Sequence, residues 1–185
     1  MTDTLPAPTN RYQEKFGSPS GRAATKVVDH LDDYVQSFIR NAPFAVMATA
    51  DGDGRCDASP KGGYPGFVKV LDDRLLLLPD VRGNRLFQSH ENIDASPQVG
   101  LIFFIPGVEY TVRVNGTAQV VDEEDLKACG ISLEVFDPDD NAALQQGLLI
   151  EVEEAYAHCP RALKFSHLWD PKVIATNVQT PPVTR

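Results

Sequence analysis

The 185-residue chain lacks any apolar run long enough to cross a bilayer. Its longest apolar stretches, Leu75–Leu78 and Val99–Ile105, fall well short of the roughly 20 residues a membrane helix needs. The N-terminal residues Met1–Gly17 lack an apolar core segment flanked by a cleavage site, so neither a signal peptide nor an anchor is expected, and the cytoplasm is the expected compartment. Positive charge is also scarce. Seventeen Lys and Arg face 26 Asp and Glu, a formal net charge of −9, which excludes a broad nucleic-acid surface. The three cysteines, Cys56, Cys129 and Cys159, are odd in number and widely spaced, with no Cys-x-x-Cys pair. They exclude a disulfide framework and a zinc site, and are expected to be reduced thiols. None of the four histidines, His30, His90, His158 and His167, stands at metal-ligand spacing from another donor, and no metal site is expected. The chain also has no Gly-x-Ser-x-Gly elbow, Walker loop or dinucleotide fingerprint. Asp72-Asp73 and Asp139-Asp140 fall in turn-like surroundings and read as solvated pairs. His158-Cys159 reads as an ordinary neighbouring pair, because thiol activation requires an electropositive, partly open site.

What is present is a single core's worth of apolar residues, 42% of the chain. Residues 1–24 carry no periodicity and read as an arm that orders only by docking. From Thr25, the apolar positions Val27, Val28, Leu31, Val35, Phe38 and Ile39 recur at helical steps, predicting a helix with Thr25 as N-cap and Pro43 as stop. Phe44–Ala50 reads as a strand, Asp51–Gly54 as a hairpin turn, and 55–59 as the return strand. A second hairpin joins 67–71 to 75–79, and a helix is predicted from about Gly83 to Ala95. Val99–Ile105 is apolar throughout and reads as a strand covered on both faces. Tyr110–Val121 alternates, with Val112, Val114, Gly116, Ala118 and Val120 on the buried face and Thr111, Arg113, Asn115, Thr117 and Gln119 on the polar one. A short helix at 122–130, a strand at 148–156, a helix from Arg161 to about Leu168 and a polar tail after Pro171 complete the chain. Short strands in consecutive hairpins predict a mainly β fold with flanking helices, a small antiparallel barrel. Residues 25–170 form its body, between an arm at 1–24 and a tail at 171–185.

The basic residues that do exist gather between Lys61 and Arg85. Arg82-Gly83-Asn84-Arg85, read as opening a helix, would offer guanidinium forks and free backbone N–H groups, the combination that holds a phosphate dianion. The competing reading is a helix with exposed arginines near its start. Ser59-Pro60-Lys61-Gly62-Gly63 reads as a strand end and loop where backbone can approach a flat ligand and Lys61 can neutralise charge; alone, it is equally a surface loop. Trp169, the only tryptophan, is either a core plug or a ring that stacks on an aromatic ligand.

The order of these motifs carries a resemblance. Ser-Pro-Lys-Gly, Gly-Phe-Val-Lys-Val-Leu-Asp-Asp, Leu-Leu-Pro-Asp, Arg-Gly-Asn-Arg, the block ending Ser-Pro-Gln-Val-Gly-Leu-Ile-Phe, and Val-Arg-Val-Asn-Gly-Thr-Ala follow one another over residues 40–122. The chain thus resembles the pyridoxamine 5′-phosphate oxidase-like, FMN-binding split-barrel family. His158-Cys159-Pro160-Arg161-Ala162 through Leu168-Trp169 is similar to the C-terminal segment of one bacterial branch. The resemblance implies a six-stranded antiparallel split β-barrel that forms a homodimer with FMN at the subunit interface. It places Ser59, Pro60, Lys61, Gly62 and Val68 along the flavin. Leu78, Pro79, Arg82, Gly83, Asn84 and Arg85 would stand at its phosphate. Thr111 would contact the ring, and Trp169 would reach it from the other subunit.

Two departures qualify that implication. The phosphate pair is Asn84-Arg85 where the oxidases have Arg-Lys, which makes Arg82 or Lys61 the substitute cation. The C-terminus lacks the Arg-Leu-x-Pro ending of the true oxidases, so vitamin B6 oxidation is not expected. The expected activity is FMN-dependent hydride transfer at flavin N5 to or from a small substrate. The alternatives are the same fold carrying the deazaflavin F420 or haem, or a flavin-binding sensor without turnover.

Overall fold

The computed structural model describes residues 9–82, 85–132, 135–140 and 142–183. Two short helices, α1 (Arg11–Phe16) and α2 (Arg22–Thr25), lie in the arm. The helix predicted from Thr25 starts eight residues later, as α3 (Asp33–Asn41). The reason is a competing backbone pairing. Val28 exchanges both main-chain hydrogen bonds with Ala155 (3.2 and 2.8 Å), so residues 26–32 form a non-helical strap. Asp32 then caps the helix, its carboxylate accepting from the Val35 N–H at 2.8 Å. Val35, Phe38 and Ile39 are the face that α3 buries.

Seven strands follow: β1 (Phe44–Ala50), β2 (Cys56–Gly62), β3 (Lys69–Val70), β4 (Leu75–Val81), β5 (Gln98–Phe104), β6 (Thr111–Asp122) and β7 (Leu144–His158). They form one sheet in the order β2-β1-β5-β6-β7-β4-β3, and every ladder is antiparallel. The antiparallel, mainly β expectation is met. The count is seven rather than six, and among the described residues no ladder joins β2 to β3 to close a barrel. In the β1–β2 turn, Asp51 accepts from the N–H groups of Asp53 and Arg55 while Gly54 adopts φ 81°.

β2 also runs further than the sequence suggests. It takes in Ser59–Gly62, read above as the start of a loop. Pro60 is tolerated because β2 is an edge strand of the sheet.

β5 differs from expectation in burial. Val99, Leu101 and Phe103 face the core, but Gly100, Ile102 and Phe104 are only partly covered, so it is enclosed on one face. β6 alternates as its pattern predicts from Val112 to Ala118, but Thr111 is buried rather than polar-facing and Val120 is exposed, and the strand is bulged against β7 at Asn115/Gly116. At Gly116 a Cβ would run into the Glu151 carbonyl oxygen, which is why glycine stands there.

The inner face of the sheet packs Met47, Leu76, Leu101, Phe103, Val112, Val114, Leu148 and Ile150 beneath α3. Helix α4 (Gln88–Ala95) covers the end nearest β1, and α5 (Glu123–Ala128) sets Leu126 against Gly147 and Leu77. α6 (Arg161–Ser166) stops at His167, whose φ is 53°. The polar tail holds a helix, α7 (Pro171–Gln179), capped by Asp170 with proline in its first turn.

The start of α3 is checkable. Asp32→Ala should cost about 1 kcal/mol in urea unfolding, the usual value of an N-cap, whereas Thr25→Ala should change stability by less than about 0.5 kcal/mol. Equal losses would mean that Asp32 does not cap the helix.

A cleft between the two ends of the sheet

In antiparallel ladders, residues directly opposed point to the same face. Asp57, Ser59 and Lys61 of β2 oppose Thr49, Met47 and Ala45 of β1, all three buried, and therefore point inward. On β4, Leu76, Leu78 and Asp80 share a face, and the first two are core residues. β2 and β4 are five steps apart in the strand order. At about 4.8 Å per step a flat sheet would separate them by roughly 24 Å. Instead the Lys61 ammonium donates to Asp80 Oδ1 at 2.9 Å, so the sheet is rolled until its two ends meet.

Where they meet, α4 and the segment before it leave a cleft of about 490 Å³. Its walls are Asp57–Gly62 and Phe67 on one side, Pro79–Arg82 and Gln145 on the other, and Arg85–His90 across the end.

Lys61 and Asp80 are largely withdrawn from water, their side chains 16% and 15% exposed, so each needs the other. His90 joins them from α4, its side chain 12% exposed. Its Nε2 is buried without a hydrogen bond, and Asp80 Oδ2 stands 3.6 Å away. Burial pushes the His90 imidazole below its usual range. Asp80 and Asp94 oppose that shift and Lys61 adds to it, and the net effect is a ring held neutral. α4 is fixed over the cleft by Asn92, whose Nδ2 donates to Thr49 Oγ1 (3.0 Å) and Asp57 Oδ2 (3.1 Å).

The expected helix opening at Arg82–Arg85 is not found. Arg85 and Phe87 adopt φ of 62° and 51°, a left-handed backbone that a helix cannot include, so α4 begins only at Gln88. Side chains held this way are costly and collect at ligand sites. Arg82 and Arg85 still line the cleft, as side chains on irregular backbone rather than beside a helix N-terminus. Gly83 and Asn84 lie outside the described residues.

Of the other residues singled out from sequence, Ser59, Pro60, Lys61, Gly62 and Pro79 line the cleft together. Val68 and Leu78 do not, because they are buried in the core. Thr111 is buried opposite His158, at the far end of β6. Trp169 is half-buried after α6, with its indole Nε1 enclosed and without a partner. Neither reaches the cleft of its own chain.

Sequence reasoning missed Asp80, His90, Phe87 and Gln145. A histidine in the middle of an amphipathic helix gives no sign that a carboxylate from another strand faces it.

Three cations, Lys61, Arg82 and Arg85, thus stand against two carboxylates, Asp57 and Asp80, around one concave space, in a chain whose net charge is −9. The comparisons agree with this architecture. The family described as pyridoxamine 5′-phosphate oxidase matches residues 31–159, and the chain belongs to that family. Among solved structures, HupZ of Group A Streptococcus is 21% identical, with a TM-score of 0.51, covering 69% of this chain and 99% of that one. A protein of Lactobacillus delbrueckii, provisionally described as a pyridoxamine 5′-phosphate oxidase, is 23% identical with a TM-score of 0.52, covering 71% and 99%. At these identities the likeness is one of fold. No curated protein matches. Among the described residues no helix is long and apolar enough to cross a membrane.

Lys61→Met should cost about 1–3 kcal/mol by leaving Asp80 buried and unpaired, and Lys61→Met with Asp80→Leu should recover most of that loss. A double variant no better than the single would mean the pair is not coupled. Because the folded-state pKa of His90 lies below its unfolded value, stability should be full above about pH 6.5 and decline as pH falls below it. His90→Leu should flatten that decline in denaturation series from pH 8 to 5.

Proposed function

We propose that the cleft binds FMN and that the protein is a flavin-dependent oxidoreductase acting on a small substrate. The observation that carries this reading is the gathering of Arg82, Arg85 and Lys61 in one cleft of a strongly acidic chain. The residues present fit the cofactor. The volume lies within the roughly 300–1,000 Å³ of cofactor sites, the arginines supply planar forks for a phosphate, and the enclosed His90 Nε2 has no partner of its own.

Arg82 and Arg85, with Ser89 also in the cleft wall, would hold the phosphate. Lys61 commits one of its three donors to Asp80 and keeps the others for the ring. The Asp80 carboxylate holds that ammonium in place, and its own charge is offset within the cleft. When bound, FMN would supply hydride-transfer chemistry at its ring. The chain's part is to orient the two reactants and exclude water. No side chain is assigned as acid or base.

The full proposal is a cytoplasmic homodimer built as a split barrel, with residues 25–170 as the flavin-binding body and Thr111 and Trp169 serving the second copy's cleft. Both residues stand outside the cleft of their own chain, which supports that arrangement.

The purified protein should be yellow, with an oxidised-flavin band near about 450 nm set by the cofactor itself, and should oxidise NAD(P)H in the presence of a quinone-like acceptor. A Soret band would replace FMN with haem, and a deazaflavin spectrum with F420. Bound FMN without turnover would make the protein a flavin-binding sensor. A colourless protein that also fails to bind added FMN would overturn the reading. Arg85→Ala should weaken FMN binding by about 1.5–3 kcal/mol in fluorescence titration, the loss of one charge-assisted hydrogen bond.

A further inference from the structure

One buried polar atom in the wall of the cleft has no hydrogen-bond partner. It is His90 Nε2, which stands 3.6 Å from Asp80 Oδ2, beyond the roughly 2.7–3.2 Å of an N–H···O bond. The other Asp80 oxygen, Oδ1, accepts from the Lys61 ammonium at 2.9 Å. Phe87, held at φ 51°, sets its ring edge-on to the imidazole, with centroids 5.8 Å apart and planes at 73°. The imidazole thus has an apolar neighbour in Phe87 and a carboxylate oxygen just out of reach.

The charged groups around His90 come from few elements. β2 presents Lys61 and Asp57, β4 presents Asp80, and α4 itself carries Asp94. Glu91, next in sequence, is exposed. Arg82 and Arg85 line the same cleft. α4 also packs against β1 and β6, but β1 has no ionisable side chain. On β6, Arg113 adjoins the inward-facing Val112 and so points to the outer face, and Asp122 is taken up as the cap of α5. Burial outweighs the pull of Asp80 and Asp94, and Lys61 adds to it, so the imidazole accepts a proton less readily than usual.

An anion reverses that balance. Lys61, Arg82 and Arg85 against Asp57 and Asp80 leave the cleft one positive charge. A phosphate group brings about −1.5 to −2 at neutral pH. Its arrival turns the local sum negative by about one charge, and a proton on His90 returns it close to zero. Partly buried charges are weakly screened, so the imidazole feels most of the change.

We propose that His90 couples anion binding in the cleft to the uptake of one proton: the phosphate held by Arg82 and Arg85 draws a proton onto the imidazole, and its Nε2–H closes on Asp80 Oδ2. Asp80, then shared between two cations, holds the ammonium less tightly, and Lys61 turns its donors toward the ligand. The cleft therefore holds its anion more tightly in mild acid than in mild alkali. A group whose midpoint the ligand raises strengthens binding as pH falls through the raised midpoint, and the gain levels off below the original one. The proposal rests on the flavin reading for the identity of the ligand alone.

The test follows the His90 ring by NMR in the full-length protein from pH 8 to 5, alone and with FMN or sodium sulfate, a dianion that does not titrate in that range. With the ring assigned through its backbone, this arm needs no variant. The midpoint should lie below about 6.5 for the protein alone and rise by about one unit or more with either anion. The phosphate of FMN titrates near about pH 6 and by itself weakens binding in acid, so affinities are compared between wild type and His90→Gln. Their ratio should grow from pH 8 to 5 by about tenfold for each unit that the midpoint rises. Calorimetric titration in two buffers of different ionisation enthalpy should show greater proton uptake by wild type than by His90→Gln. The coupling is overturned, and the flavin reading kept, if FMN binds while the His90 midpoint stays in place, or if wild type and folded His90→Gln take up equal numbers of protons. If sulfate raises the midpoint while FMN fails to bind, the flavin reading falls and the coupling stands. If neither anion binds, both fall.

Discussion

The ion pair between Lys61 and Asp80 holds the architecture of the cleft. It joins strands that lie near opposite ends of the hydrogen-bonded order, and so converts an open sheet into a rolled one with a space along the seam. Buried charges of this kind contribute little net stability, because desolvation consumes most of their attraction. Their value here is geometric. A lysine and an aspartate that must find each other fix how far the sheet curls, and with it the width of the cleft. His90 stands beside the pair with its pKa held below the usual range, because burial outweighs the opposing pull of Asp80 and Asp94.

The two faces of the sheet divide the chemistry. Inward positions of β1, β5, β6 and β7 build the core, and the same inward phase on β2 and β4 supplies Ser59, Lys61 and Asp80 to the cleft. Outward positions carry Val46, Ile102, Arg113 and Tyr156 in one row. Because strand side chains alternate, a single register decides both sets, and a slip by one residue would exchange them. The bulge at Gly116 belongs to this system, since it lets β6 and β7 stay paired along a curved path.

Much of the fold was legible in the sequence. Phe44–Ala50 is a strand within its expected bounds, and the Asp51–Gly54 turn and the alternation of Val112–Ala118 follow from turn chemistry and period. The misreadings have separate causes. The start of α3 was masked by Val27 and Val28, whose helical spacing is real but whose backbone pairs with β7. The start of α4 was placed at Gly83 because arginines beside a glycine resemble an anion-binding helix end; the left-handed φ of Arg85 and Phe87 is invisible in residue type. α7 did have a signal, Asp170 followed by Pro171, in a tail judged only by its polarity.

For the cleft, the sequence located Ser59–Gly62, Pro79, Arg82 and Arg85 as a basic, glycine-containing neighbourhood, and its motif order pointed to the family. Residue type and local spacing determine such things because charge, turn preference and strand alternation act over a few neighbours. Tertiary structure alone decided that Lys61 meets Asp80, that His90 loses its water, and that Lys26 crosses to Tyr156 on β7. Lys61 and Asp80 are 19 positions apart, and Lys26 and Tyr156 much further. Such contacts depend on how far a sheet rolls and where a strap is laid, which the packing of the whole chain sets.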